Sequence, residues 1–256
     1  NKTYGGSGDD RGNSLIETSD GGFALLGYSD SVDGDVTTNN GNRDFWVVKI
    51  DAFGALTWQK SFGYAGADEG MSIIETSDNH FILSGVLDVS ASGGEGNFGR
   101  LSTRHAGGDY WSIKITQTGD VVWSRFYGGS FTDNPAGVVE NASNNLITVG
   151  GSDSNDVDIT NNKGSYDFWV VKSTANGDIV WEKSFGGSEI DEARGIISSG
   201  DGNHVIVGDT RSSEQDVSLN NGAADLWLIK ISGDGDVLWN SSIGGSNFDV
   251  GRSIDL

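Results

Sequence analysis

The sequence contains no cysteine and a single proline, Pro135, among its 256 residues. Without cysteine, a disulfide framework and thiolate chemistry are both excluded, whether for metal binding or for nucleophilic attack. A thiol-free chain fits an oxidising exterior, although cytosolic proteins can also lack cysteine. Because 40 glycines accompany that one proline, we expect tight turns of glycine, asparagine and aspartate instead of proline-rich linkers.

Basic residues are also scarce, since 16 Lys and Arg residues stand against 37 Asp and Glu residues and the formal net charge is -21. This excess argues against nucleic acid or an anionic membrane surface as a partner and is compatible with cations. No apolar run approaches the roughly 20 residues that cross a bilayer, so we expect no membrane insertion. No signal peptide is visible at Asn1, where the chain begins inside a repeat, which predicts a mature or trimmed product.

Tryptophans and aspartates mark an internal repeat. Four tryptophans are separated by 65, 58 and 58 residues, and each follows another tryptophan by 12 residues. An aspartate five residues after a glycine has the same spacing, so two independent markers give a period of about 58 residues. The tryptophans are Trp46, Trp58, Trp111, Trp123, Trp169, Trp181, Trp227 and Trp239. The aspartates are Asp10, Asp68, Asp133, Asp191 and Asp249.

Each repeat contains four strand signals in a fixed order. In the first repeat they lie at residues 14–18 and 23–28, and then at Asp44–Ile50 and Leu56–Phe62. These short runs are rich in β-branched and aromatic residues and are bounded by Gly, Asn and Asp turns, which is typical of strands. No apolar period of 3.6 residues reaches helical length, so we expect almost no helix.

Four antiparallel strands in a unit of about sixty residues form the pattern of a β-propeller blade. We therefore predict an all-β fold, with residues 1–256 forming a single β-propeller domain of four full blades plus the terminal strands of a fifth. The fifth blade would have an outermost strand at residues 2–4 and an innermost strand at 252–256 but no strands between them. Either the natural chain continues past Leu256, which we favour, or the ring closes unconventionally. The predicted repeats are 5–62, 63–127, 128–185 and 186–243, with a partial repeat at 244–256.

The first repeat resembles a known family. Its strings YGGSGDDRGNSLIETSDGGFALLGYSDS and DFWVVKIDAFGALTWQKSFG look like the β-propeller repeats called SBBP and like related repeats in large secreted proteins of Bacteroidetes. The string VVKIDAFGALTW is also similar to quinoprotein blades, but nothing in the chain matches a quinone site. The resemblance covers the whole chain and implies a secreted or surface-displayed propeller, while leaving the activity open.

Residues that recur identically in every repeat are expected to be structural. The tryptophans would pack between blades, with sugar stacking as the alternative. The loop aspartates would accept backbone N–H bonds in Asx-turns, with ligand binding as the alternative. A lysine near the end of every third strand would pair with an acidic loop, and these lysines are Lys49, Lys114, Lys172 and Lys230.

The segment between the second and third strands predicts a calcium site. Carboxylates two residues apart, with asparagine side chains and loop carbonyls nearby, offer the oxygen ligands that Ca²⁺ requires. The spacing differs from that of an EF-hand and the second repeat has lost the pattern, so an Asx-stabilised loop without metal is the alternative. The candidate ligands are Asp33, Asp35 and Asp44, then Asp156, Asp158 and Asp167, and finally Glu214, Asp216 and Asp225.

The second repeat carries seven extra residues between Asp68 and Asp109. This insertion contains Arg100, Arg104 and His105 in an otherwise acidic molecule, which makes these three residues the candidate ligand-binding group. Function in repeat proteins tends to lie in such insertions, although a drifted surface loop is the alternative.

Catalysis has little support, because the three histidines do not recur near a serine and an acid. We therefore expect a non-enzymatic secreted or cell-surface propeller that presents loops to a glycan or a protein, with calcium as its only candidate cofactor. One alternative is a glycoside hydrolase or lyase that uses carboxylates at the ring mouth, such as Glu17, Glu75 and Glu140. A structural spacer within a longer surface protein is another.

Overall fold

The computed structural model of the protein describes residues 2–96 and 105–255. Within those residues it contains sixteen strands and one single-turn helix, and the chain divides into two compact units, Asn1–Tyr127 and Gly128–Leu256. The division falls where the sequence predicts the boundary between the second and third repeats. No helix in the described part is long and apolar enough to cross a membrane.

The first unit contains two four-stranded antiparallel sheets, each with its strands in chain order. The first sheet consists of β1 (Asp10–Glu17), β2 (Phe23–Ser29), β3 (Asp44–Ile50) and β4 (Leu56–Phe62). The second sheet consists of β5 (Glu69–Glu75), β6 (His80–Asp88), β7 (Gly108–Thr116) and β8 (Val121–Tyr127). The helix α1 (Val89–Ser92) follows β6, and the Asp88 carboxylate caps it by accepting the Ala91 N–H at 2.9 Å.

The second unit has the same organisation, with two further four-stranded antiparallel sheets. The third sheet consists of β9 (Asp133–Glu140), β10 (Leu146–Ser152), β11 (Asp167–Ser173) and β12 (Ile179–Phe185). The fourth sheet consists of β13 (Asp191–Ser198), β14 (His204–Thr210), β15 (Asp225–Ile231) and β16 (Val237–Ile243).

The core of each unit lies between the facing surfaces of its two sheets. In the first unit Phe45 packs edge-on against Trp111, with ring centroids 4.9 Å apart. In the second unit Phe168 and Trp227 make the equivalent contact at 4.7 Å. Side chains alternate between the two faces of a strand, so an apolar third strand such as DFWVVKI is buried on both sides. A sheet of this kind depends on a neighbour for stability.

The all-β prediction is confirmed, and four four-stranded sheets are what four propeller blades provide. The third and fourth strands of the first repeat have the predicted bounds, but β1 begins at Asp10, four residues before the predicted start. The apolar pattern misses these residues because they are polar. They join the ladder with β2 through a register shift between Gly12 and Ser14, which is a β-bulge.

The two ends of the chain contact the first and the fourth sheet, respectively, and neither end forms a named strand. Tyr4 packs against Trp46 and Val48 of the first sheet, and Gly251 lies close to Val207 of the fourth. Residues 2–9 and 249–255 belong to no named strand. The terminal strands and the single-domain assignment therefore stay predictions.

Most of the tryptophans are core residues, as expected from their recurrence. Five of them are at most 6% exposed, and Trp58 and Trp181 are half-buried. Trp239 on β16 is the exception, at 44% exposed. The buried tryptophans are therefore packing residues and are not available as platforms for sugar stacking.

Candidate functional site

The loop that precedes the first sheet is held by a series of hydrogen bonds from consecutive backbone amides to side chains. The Gly5 and Ser7 N–H groups donate to Asp35 at 3.1 Å and to Asp33 at 2.7 Å. The Gly6 N–H donates to Asp10 at 2.7 Å. The Gly8 and Asp9 N–H groups donate to Ser31 Oγ and to Asp30. Five successive donors thus find acceptors, which fixes the loop against residues 30–35.

The same bonds recur in the second unit. The Gly128 and Ser130 N–H groups donate to Asp158 at 3.3 Å and to Asp156 at 2.9 Å. In the next repeat Gly186 donates to Asp216 at 3.1 Å, and the N–H and hydroxyl of Ser188 both donate to Glu214 at 2.7 Å. We call the three loops held in this way, residues 5–9, 128–132 and 186–189, the amide-locked loops.

A second set of aspartates is buried at, or directly before, the first residue of a strand. Burial raises the pKa of Asp44, and it raises the pKa of Asp68 to about 7, although Asp68 accepts the Tyr64 and Asp88 N–H groups. Asp167 is equally buried, and desolvation raises its pKa to about 7 as well. These carboxyls are structural groups in a site of low polarity.

A glycine lies between two such aspartates at positions 63 and 186, where a larger residue would clash with both carboxyl groups. A Cβ atom at Gly63 would lie 2.2 Å from Asp44 Oδ1 and 2.9 Å from Asp68 Oδ2. At Gly186 the corresponding distances are 2.2 Å to Asp167 Oδ1 and 2.6 Å to Asp191 Oδ2. The repeated glycine therefore leaves room for a pair of buried carboxyls. Gly63 and Gly186 do not have a left-handed backbone conformation, so glycine is needed here only for its small size.

The candidate calcium ligands have two different structural roles. Asp33, Asp35, Asp156, Asp158, Glu214 and Asp216 accept amides of the amide-locked loops, while Asp44, Asp167 and Asp225 lie buried at the starts of third strands. In residues 2–96 and 105–255, no three His, Asp or Glu side chains come together in a group that could hold a metal ion. Calcium binding stays a prediction.

The recurring lysines bind turns, as their recurrence predicts. Lys49 and Lys230 pair with Asp20 and Asp201 at 2.8 and 2.7 Å, and each lysine holds the pKa of its partner well below the ordinary value. Lys114 pairs with Asp78 at 2.7 Å. Lys172 differs and donates to the Gly233 carbonyl at 2.7 Å.

Of the candidate ligand-binding group in the insertion, Arg100 and Arg104 lie outside the described residues. The His105 side chain is only 6% exposed, and its Nδ1 lies 2.6 Å from Asp109 Oδ2. Its ring packs edge-on against Phe126 at 4.9 Å. This histidine anchors the base of the insertion to β7 and β8 and does not project into solvent.

A cleft in the first unit was not anticipated from the sequence. It has a volume of about 250 Å³ and lies between the first and second sheets, and the described residues that line it are all uncharged. We call it the aromatic cleft and define it by Asn40, Phe62, Tyr64, Trp111, Val121 and Ser124. A cleft of about 320 Å³ occupies the equivalent place in the second unit and is lined by Lys163, Glu182, Lys183, Phe185, Asp216 and Val237. The signal in the sequence was the difference between repeats, since Asn40 stands where the third repeat has Lys163, but no motif draws attention to it.

Of the carboxylates proposed for a glycosidase, Glu75 takes part in several hydrogen bonds within the first unit. Glu75 accepts the Ser19 N–H and hydroxyl, both at 2.7 Å, and the Gln117 amide at 2.7 Å. These bonds connect the first and second sheets, so Glu75 has a structural role there. Hydrolase activity stays an untested alternative.

Comparisons with known proteins show a distant similarity to a curated protein. No family model matches the chain. The Regulatory protein FlaEY of Caulobacter vibrioides is 24% identical over 203 residues, a match that covers 75% of this chain and 21% of FlaEY. The chain thus spans about a fifth of the length of this curated relative.

Solved structures are also similar to this chain, among them two that match at low TM-score. A protein of unknown function from Bacteroides caccae matches with a TM-score of 0.34 and 11% identity, over 91% of this chain and 81% of that one. A eukaryotic initiation factor matches with a TM-score of 0.36 and 6% identity, over 97% of this chain and 58% of that one. These scores are too low to support an inference about fold or function, and the resemblance to SBBP repeats stays a prediction.

Proposed function

We propose that this chain is a non-enzymatic binding module, secreted or displayed at the cell surface, that presents its loops to a glycan or a protein partner. The observation that carries the proposal is the series of amide-to-carboxylate bonds in the amide-locked loops. Loops fixed before binding lose little conformational entropy when a ligand is bound, and that makes them efficient contact surfaces. The repeats resemble those of large secreted proteins of Bacteroidetes, and this resemblance supports export of the protein.

The surface beside these loops also fits a binding role. Val32 and Phe131 are 72% and 60% exposed, and each lies within or beside an amide-locked loop. Phe131 in particular belongs to the aromatic residue types that are enriched in protein interfaces. The strong negative charge continues to argue against nucleic acid as the partner.

The test is binding of the purified chain to an array of plant, algal and host glycans, together with a pull-down from surface-protein extracts. Specific binding that is lost on Phe131→Ala or Val32→Ala supports the proposal. Absence of binding on both platforms, by a chain shown to be folded, contradicts it.

Calcium is tested separately, because the candidate ligands already accept backbone amides. If a calcium ion stabilises the loops, the melting temperature rises with millimolar Ca²⁺ and falls with a chelator. A melting temperature that is the same in both conditions removes calcium from the proposal.

A second candidate function is that of a structural spacer in a longer surface protein. Its support is the comparison with FlaEY, in which the matched segment is 21% of the relative. A folded chain that binds nothing on either platform would favour this spacer role over the binding module.

A further inference from the structure

The aromatic cleft differs in chemistry from its counterpart in the second unit although both occupy the same place in the repeat. Phe62 and Val121 of the first unit correspond to Phe185 and Val237 of the second. In the second unit, however, Lys163 pairs with Asp216 at 2.7 Å. That cleft is crossed by an ion pair, whereas no charged residue is among the described residues that line the aromatic cleft.

The charged cleft also satisfies its remaining polar groups internally. Glu182 accepts the Trp169 indole N–H at 3.0 Å and the Thr160 hydroxyl at 2.5 Å, and Lys183 pairs with Asp236 at 3.0 Å. These groups hold one another and have little left to offer a ligand. The second unit therefore provides an internal control, in which the charged groups of the equivalent cleft are already paired.

In the aromatic cleft, by contrast, polar groups remain available. Tyr64 is half-buried, and its hydroxyl makes no hydrogen bond to any residue that the structure describes. Asn40 donates to the Gly63 carbonyl at 3.1 Å, and its amide oxygen accepts nothing from the described residues. A tyrosine with an apolar ring and a free hydroxyl suits a ligand that has both apolar and polar faces.

The aromatic cleft also adjoins the one place where the repeat is broken. The Trp111 indole N–H and the Ser124 hydroxyl both donate to the Gly96 carbonyl, at 3.0 and 2.7 Å. Gly96 is the last described residue before the centre of the insertion, so the wall of the cleft and the stem of the insertion are bonded together. In repeat proteins, departures from symmetry are where function concentrates.

We propose that the aromatic cleft binds a single sugar unit of a neutral glycan, an assignment that rests on the glycan branch of the proposed function. At about 250 Å³ the cleft is smaller than the ~300–1,000 Å³ typical of pockets for drug-sized ligands, so a nucleotide or larger cofactor is too big. None of the described residues that line the cleft is charged, so they offer no counter-charge to a phosphate or a carboxylate. The rings of Phe62 and Tyr64, with one hydroxyl and one amide, match the apolar face and the hydroxyl groups of a pyranose.

The experiment is saturation-transfer NMR on the whole chain with D-glucose, D-galactose, D-mannose and L-fucose as probes. We expect transfer to at least one sugar, and a loss of about tenfold in affinity in Tyr64→Ala. Val121→Ser should weaken binding as well, whereas Val237→Ser, which is equally exposed at the equivalent position of the charged cleft, should leave it unchanged. Asn40→Lys, which introduces the residue found at Lys163, should abolish binding.

Several results would overturn the assignment. No transfer to any of the four sugars is one, and equal weakening by Val121→Ser and Val237→Ser is another. Circular dichroism identifies variants that fail to fold, and Tyr64→Phe, which keeps the ring, then tests the hydroxyl alone. Transfer to N-acetylphenylalaninamide but not to sugars would assign the cleft to an apolar peptide side chain instead. Glycan-array binding that survives Tyr64→Ala would keep the proposed function and reject this site, whereas no array binding at all would reject both.

Discussion

At the scale of single residues, Lys49 and Lys114 are buried charges whose aspartate partners are exposed to solvent. The Lys49 side chain is 3% exposed, while its partner Asp20 is 60% exposed. The two members of the pair are therefore unequal. Removing the carboxylate leaves an ammonium group buried without its counter-charge, whereas removing the lysine leaves a carboxylate that water can solvate.

We therefore expect Asp20→Ala to lower the free energy of unfolding by roughly 2 kcal/mol, below the 3–5 kcal/mol of a fully buried pair because Asp20 is largely solvated. Lys49→Met should cost about 1 kcal/mol or less, since the apolar stem is replaced in kind. Urea unfolding of both single variants and of the double variant measures the difference. Equal losses in the two single variants would contradict the asymmetry.

The glycine between paired aspartates gives a second prediction at this scale. Gly63→Ala places a methyl group 2.2 Å from Asp44 Oδ1, so we expect a loss of about 1–3 kcal/mol from overpacking. Gly12→Ala is the matched control, because no atom lies within 4 Å of a Cβ there. Thermal unfolding compares the two, and a destabilised Gly12→Ala with a neutral Gly63→Ala would reverse the interpretation.

At the scale of elements, the amide-locked loops are ordered by side chains and not by a strand ladder. Asp156 accepts the Ser130 N–H, and Asp133 accepts the Gly129 N–H at 2.7 Å. Each bond contributes modestly, but a loop whose consecutive amides are all bonded is protected from local opening.

Hydrogen exchange tests this order. We expect slow exchange of the Gly129 and Ser130 amides in the native chain, and Asp156→Ala should accelerate exchange at Ser130 at least tenfold because its acceptor is gone. Asp234→Ala is the control, since that exposed carboxylate accepts no hydrogen bond from a described residue. Exchange at Ser130 that is already fast in the native chain would show that the loop is not fixed.

At the scale of the whole molecule, two groups of carboxyls give stability opposite dependences on pH. Asp68 and Asp167, with pKa values raised to about 7, hold a proton more tightly when folded, so their contribution is full below about pH 4 and is lost as the pH rises towards 7. Asp20 and Asp201, with lowered pKa values, contribute above about pH 4 and lose that contribution as the pH falls. Together they place the greatest stability in mildly acid solution.

We expect the melting temperature to be at least ~4 °C higher near pH 5 than near pH 8. The net charge of -21 adds repulsion at the higher pH, so a control must separate the two causes. The double variant Asp68→Asn, Asp167→Asn removes the buried acids but keeps most of the charge, and its melting temperature should fall less between the two pH values. An unchanged slope in that variant would assign the effect to general repulsion.

Much of the fold could be predicted from the sequence because the same strand and turn signals recur in each repeat. The strands Asp44–Ile50 and Leu56–Phe62 have the bounds that their apolar runs and turn residues indicate. The start of β1 could not be predicted, since its first residues are polar and belong to the strand only through their bonds to β2. Local pattern determines a strand where side chains are buried, and the partner strand determines it elsewhere.

The candidate site was far less accessible to sequence reasoning. A pair of aspartates two residues apart reads equally well as a metal site or as two amide acceptors, and only the position of Gly5 and Ser7 decides that Asp35 and Asp33 accept N–H bonds. His105 looks like a free basic residue until Asp109 and Phe126 are placed around it. These distinctions depend on residues that are distant in the chain.

The sequence by itself determined the period, the all-β class and the structural role of most of the recurring tryptophans and lysines, because most copies of a repeated residue meet the same packing need. Trp239 and Lys172 are the exceptions. Only the tertiary structure decided which carboxylates meet amides, that the repeated glycine leaves room for two buried acids, and that the described lining of one of two equivalent clefts is uncharged. The reason is that hydrogen bonds and cavities are made by residues from different strands and loops. Their spacing along the chain contains no record of the distance between them.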